Sequence, residues 1–178
     1  MSVNTMLFST IKGLLFADVT AADPSRLVLV SMGGANVTSY PNLLDLRRSG
    51  ILAGVAGAKL AFLSARTGEE AQRTLGEVVT ANYFDVLGVH AAFGRTFSPD
   101  EGQPARNPRV AVLSYGYWRR AYGGDPGVFG RGLSIYGQSF TVVGVLPQDY
   151  RSLIGFGFAP DMYVLLGPAG GSKRAHPQ

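Results

Sequence analysis

Short apolar runs, each stopped by glycine or proline, constrain this chain more than any other feature. Its 24 glycines and 10 prolines interrupt the apolar residues before any run grows long. Such runs suit buried strands and short helices, because proline breaks both elements and glycine marks turns. Leu27 to Met32 (LVLVSM) reads as a buried strand closed by Gly33-Gly34. Thr38 or Ser39 then caps a helix that carries Pro41 in its first turn, runs to about Arg48 and stops at Gly50. Leu43, Leu44 and Leu46 feed its apolar face, and Arg47-Arg48 sit at its C-terminus, where cations are favoured. Ile51 to Ala65 reads as one or two strands, and Thr67-Gly68 as a turn.

The second half continues in the same style. Ala71 to Thr80 partly alternates, with Arg73 and Glu77 on one parity and Gln72, Thr74 and Gly76 on the other, which predicts a strand with one wet face. Asn82 to Leu87 makes a helical turn ended by Gly88, and Ala91 to Pro108 is a long loop. Val110 to Leu113 (VAVL) is a buried strand, and Ser114 caps a helix from Tyr115 to Tyr122. Leu133 to Tyr136 and Ser139 to Leu146 flank Gly137-Gln138 and predict a type II′ hairpin. Asp161 to Leu166 is a last strand, and residues 168–178 form a polar, disordered tail. The order of elements predicts an α+β fold, a mixed sheet with helices packed on it.

Val3 to Phe16 has apolar residues at helical spacing and predicts a short N-terminal apolar helix. It is too short to cross a bilayer alone, which takes about 20 residues, and it carries Lys12 in its middle. Val19-Thr20-Ala21 resembles a small-residue cleavage pattern, but the segment lacks the charged start of a signal peptide.

Composition removes several kinds of chemistry. The chain has no cysteine, which excludes disulfides, thiolate metal sites and a cysteine nucleophile. Its net charge is +4, yet in the body of the chain only Arg47-Arg48 and Arg119-Arg120 are adjacent basic pairs. Scattered cations without interleaved aromatics do not make a nucleic-acid surface. The histidines are only two, His90 and His176, too few and too far apart for a usual zinc site. No G-x-S-x-G elbow surrounds a serine. Gly123 to Gly132 (GGDPGVFGRG) fails as a phosphate loop, because no lysine lies nearby and the glycine spacing is wrong. Glu69-Glu70 and Asp100-Glu101 sit in turn-like sequence and read as solvated surface. Tyr115, Trp118 and Tyr122 form a helical aromatic stripe, which reads as core. No catalytic, cofactor-binding or metal-binding residue is assigned.

Five blocks in order carry a resemblance. Asn82-Tyr83-Phe84-Asp85-Val86-Leu87-Gly88, followed by Gly94-Arg95-Thr96-Phe97, is similar to an N-Y-F-x-V-L-G…G-R-x-F pattern. Val112-Leu113-Ser114 with Trp118, then Gly123-Gly124-Asp125-Pro126, fits V-L-S-x-x-x-W…G-G-D-P. Val128 to Gly137 follows V-x-G-[RK]-x-[IL]-x-[IL]-N-G, with Tyr136 in place of the usual asparagine. Phe140 to Val145 and Ala159-Pro160-Asp161 complete the series. Together they resemble the MacB-like periplasmic core domain of FtsX/MacB-type ABC transporter permeases, and most of all the duplicated permeases of acidobacteria.

The resemblance implies residues 1–22 as a remnant of a transmembrane helix, 23–167 as the periplasmic core domain and 168–178 as a tail, the whole being a fragment of a permease. It implies a non-catalytic domain, without cofactor, that couples motion or contacts a partner or substrate during transport across the membrane. The implied location is the inner (cell) membrane, with the domain facing the periplasm. The implied partners are the membrane through the N-terminal helix, a separate ATPase subunit, the remaining permease region and a periplasmic adaptor. Two expectations compete: a soluble enzyme or small-ligand binder, which requires a deep pocket near His90 or the aromatic stripe, and a free-standing secreted interaction domain, which requires residues 1–21 to be cleaved or packed down.

Overall fold

The computed structural model describes residues 21–28, 30, 40–66, 70–103, 108–154 and 160–166. The expected N-terminal helix, the Gly33-Gly34 and Thr67-Gly68 turns, the Thr38 or Ser39 cap and the tail lie outside the described residues. Helix α1 (Tyr40–Arg48) precedes strands β1 (Ala58–Arg66) and β2 (Ala71–Val79). Helix α2 (Tyr83–Leu87) and strand β3 (Phe93–Gly94) follow, then β4 (Val110–Leu113) and helix α3 (Tyr115–Tyr122). The chain continues through β5 (Gly132–Ile135), β6 (Gln138–Val145) and β7 (Met162–Leu165).

All seven strands join one mixed sheet in the order β3-β6-β4-β7-β2-β1-β5. Strand β5 also pairs with β6, so six strands close a circuit and β3 sits beyond it on the far half of β6. Pairs β2–β7 and β4–β6 are parallel; the others are antiparallel.

Side chains alternate across the strands and feed two cores. Leu113, Met162 and Val164 point to one face, with Leu63, Leu133, Ile135 and Val142, and with Tyr117 and Trp118 of α3. Val110, Val112 and Tyr163 point to the other, with Val79, Phe97, Leu146 and Tyr150, and with Tyr83, Phe84 and Leu87 of α2. Strands β4 and β7 are therefore covered on both faces, which is why they read as unbroken apolar runs. The aromatic stripe is core as expected: Trp118 is buried and its indole N–H donates to Asp125 O at 3.0 Å, while Tyr115 packs on Trp118 and Tyr122 on Tyr117, both partly buried.

The local signals act where the sequence places them. Ser114 caps α3, its Oγ accepting from Tyr117 N at 3.2 Å. Gly50, Gly88 and Gly123 take positive φ at or just beyond helix ends. Asp125 opens the next turn, its Oδ1 accepting from Gly127 N at 2.8 Å.

Four expectations are corrected. Leu27, Val28 and Val30 lie in irregular chain, and Val28 and Val30 are exposed, so the described part of that run is not a strand. Residues 51–57 carry no strand, and β1 begins at Ala58. The 91–108 loop contains β3 and a one-turn helix at Pro99–Gly102, where Arg95 and Ser98 N both hydrogen-bond Glu101. The hairpin turn is shifted by one residue: Ile135 pairs with Gln138, which leaves Tyr136-Gly137 as the two-residue loop.

Both loop residues have positive φ, 49° at Tyr136 and 74° at Gly137, the mark of a type I′ turn and not of type II′. A side chain with a Cβ pays a steric cost there, which asparagine offsets by hydrogen-bonding its short polar side chain to the local backbone. Tyr136 gains a hydroxyl donation to Phe62 O, but both partners are exposed. Tyr136→Asn is therefore expected to stabilise the fold by about 0.5–1 kcal/mol. A chemical-denaturation midpoint that falls in this variant would contradict the turn assignment.

Candidate functional site

Two of the sequence blocks meet strand β2 at one end of β7. Asp161 N donates to Leu75 O at 2.7 Å, and Asp161 O accepts from Ser114 N at 2.9 Å. The Asp161 carboxylate takes Arg120 of α3 at 2.6 Å and the Thr74 hydroxyl of β2. This aspartate ties β2, β7 and the start of α3 together. Its two oxygens are engaged, so it is not a free base.

A small groove of about 200 Å³ opens beside this tie. Ser114, Tyr115, Arg120, Gln148, Tyr150 and Asp161 are among its walls. It is smaller than the clefts of roughly 300–1,000 Å³ that enclose small-molecule ligands. His90 is exposed and does not line it. Among the described residues, no three His, Asp or Glu side chains gather as a metal site. The Gly123–Gly132 segment forms a helix end, a one-turn helix and the entry to β5. Of the carboxylate pairs, Asp100 and Glu70 are exposed; Glu101 is held by Arg95 and Ser98, and Glu69 lies outside the described residues. Burial alone would raise the Glu101 carboxyl, but these hydrogen bonds outweigh it and hold it below the usual range.

Behind the groove lies a buried polar cluster that the sequence pattern misses. Glu77, on a strand expected to keep one wet face, is fully buried. Only the first half of β2 is exposed; from Thr74 onward it is covered on both sides. Glu77 pairs in register with Leu60 on β1 and Tyr163 on β7. Its Oε2 accepts from Ser152 Oγ at 2.6 Å, and Ser152 Oγ in turn accepts from Ile154 N at 3.3 Å. Glu77 Oε1 and the hydroxyls of Tyr83, Tyr150 and Tyr163 are buried without a hydrogen-bond partner. Burial pushes the Glu77 carboxyl up, against the Ser152 hydrogen bond and the nearby Tyr83 hydroxyl, which both favour the carboxylate. Burial, the largest cause for each, also pushes all three tyrosines up.

A second surface feature is aromatic and basic. Phe62 is 59% exposed, the Arg73 guanidinium lies 4.5 Å from its ring centroid, and Tyr136 stands beside them.

The sequence matches the family of MacB-like periplasmic core domains over residues 1–175. The chain belongs to that family. No curated protein matches it. Among solved structures it is similar to the extracellular domain of the noncanonic ABC-type transporter YknZ from Gram-positive bacteria, with 20% identity and a TM-score of 0.58. That likeness covers 72% of this chain and 62% of the other. It is also similar to the periplasmic region of MacB from Actinobacillus actinomycetemcomitans, with 16% identity and a TM-score of 0.56, over 70% of this chain and 53% of the other. The chain thus spans less than two thirds of either domain's length. These likenesses establish the fold, a mixed sheet with helices packed on it, as the sequence blocks imply. Among the described residues no helix is long and apolar enough to cross a membrane.

Proposed function

We propose that this MacB-like periplasmic core domain is the extracytoplasmic, non-catalytic part of an ABC-type permease, coupling motion or contacting a partner during transport. The family match across residues 1–175 carries this reading. Three physical features support it. The most prominent carboxylate on the groove, Asp161, is spent on an internal tie. The groove itself is small, about 200 Å³. The doubly covered β4 and β7 make a stiff body suited to passing force between surfaces. In this reading, residues 1–22 supply the outer end of a membrane helix in the inner membrane and 23–167 stand in the periplasm. A separate ATPase subunit and the remaining permease region complete the machine, and a periplasmic adaptor meets the domain.

Fractionation tests it. The chain expressed in its natural context is expected in the membrane fraction, with its body digested by protease added from the periplasmic side. Release as a soluble periplasmic protein would favour the free-standing secreted domain, and turnover of a substrate by the purified protein would overturn the non-catalytic reading.

A further inference from the structure

The Glu77 cluster asks how a carboxyl group survives with no accessible surface. Among the described residues, four segments stand beside it. Strand β1 presents Leu60, β7 presents Tyr163 and α2 presents Tyr83. The segment after β6 presents Tyr150 and Ser152. Phe84 packs edge-on against the rings of Tyr83, Tyr150 and Tyr163 and closes the cage. Among the described residues no Lys, Arg or His contributes to the electrostatics of Glu77. Arg120, Arg151 and Asp161 line the groove together with Tyr150 and Tyr163.

A buried carboxylate without a cation is far costlier than a buried carboxylic acid. The hydrogen bonds fix where the proton belongs. Ser152 Oγ accepts from Ile154 N and donates its own hydrogen to Glu77 Oε2. Oε2 is then the acceptor, and Oε1, which has no donor, is the oxygen free to carry a proton. A proton on Oε1 turns a bare acceptor into a donor among three tyrosyl oxygens.

We propose that Glu77 is a buried proton-binding site, held as the neutral acid in the native fold, and that its ionisation loosens residues 147–152 from the sheet. Pro147, Gln148 and Tyr150 also line the groove, so the shape of the groove is tied to the protonation of Glu77. The inference rests on the described fold and not on the proposed role in transport.

Equilibrium denaturation of the full chain from acid to mildly alkaline pH tests it, with Glu77→Gln in parallel. The unfolded chain releases this proton in the ordinary glutamate range, while the folded chain retains it. Stability is therefore highest below that range and falls as pH rises, until the folded carboxyl itself ionises. In that window the wild-type folding constant drops by about tenfold per pH unit relative to Glu77→Gln, which cannot ionise. Hydrogen exchange at Tyr150 and Ser152, corrected for the intrinsic effect of pH, accelerates over the same window in the wild type only. Parallel pH profiles for the two proteins overturn the proposal. So does a wild-type profile that changes when sodium or calcium replaces a bulky organic cation, which would mean a carboxylate neutralised by metal. If Glu77→Gln fails to fold, difference infrared spectroscopy of the wild type decides. The carbonyl stretch of a protonated carboxyl at neutral pH supports the site, and its absence overturns it.

Discussion

Phe84→Ala is expected to cost about 4 kcal/mol of folding stability, read as a lower urea midpoint with an unchanged slope. The Phe84 ring is 1% exposed. Its centroid lies 5.3 Å from those of Tyr83 and Tyr163, 5.7 Å from Phe97 and 6.2 Å from Tyr150. Removing it takes away the large transfer energy of a buried aromatic and leaves a cavity. The surrounding rings cannot easily fall into that space, because they hang from four different segments: α2, the loop after β3, the segment after β6, and β7. The edge-to-face contacts add about 0.5–1.5 kcal/mol for each pair lost. Phe84→Leu restores much of the volume and should recover roughly half of the loss. A loss below about 1 kcal/mol for the alanine variant would mean that α2 is not packed on the sheet as described.

Gly144→Ala is the second large effect, expected at about 3 kcal/mol, the upper end of overpacking costs. Gly144 pairs with Gly94 where β3 crosses β6. A Cβ on Gly144 would overlap Arg95 O and come within 2.9 Å of Arg95 C and 3.0 Å of Arg95 N. These are backbone atoms, so no rotamer change relieves the overlap. The β3 segment must lift, and with it go the bonds Ala92 N to Val145 O and Arg95 N to Val143 O, both 2.9 Å. Phe97, buried three residues further on, is drawn out of the second core. Thermal unfolding and protease nicking within residues 92–103 check this. A variant as stable and as resistant as the wild type would show that β3 does not dock there. Gly94, with φ 71°, meets Val143 O from the other side, so the crossing requires glycine on both strands.

Much of the fold was legible locally. Val110–Leu113 and Asp161–Leu166 announced buried strands by being apolar on both parities. Ser114, Gly123, Gly88 and Gly50 announced helix ends by chemistry that acts within one turn. The blocks around Tyr83, Ser114 and Asp161 announced the family, and they proved to be the parts that tie strands together. The errors fell where a single residue of register or a distant cover decides. The hairpin slipped by one position because Gly137 suited either turn type, and only the pairing of Ile135 with Gln138 selects one. Leu27 to Met32 had strand-like residues, but its described part has no strand partner to complete its hydrogen bonds.

By itself, the sequence determined which stretches prefer strand or helix, where each ends, and that cysteine and clustered-histidine chemistry is absent. Those properties depend on a residue and its near neighbours along the chain. Tertiary structure alone decided that Glu77 is buried, that β5 also pairs with β1, and that Gly94 meets Gly144. Each of these depends on segments distant in sequence, with Ser152 lying 75 positions from Glu77. Alternation along a strand tells which residues share a face, but what covers that face is set by the rest of the fold.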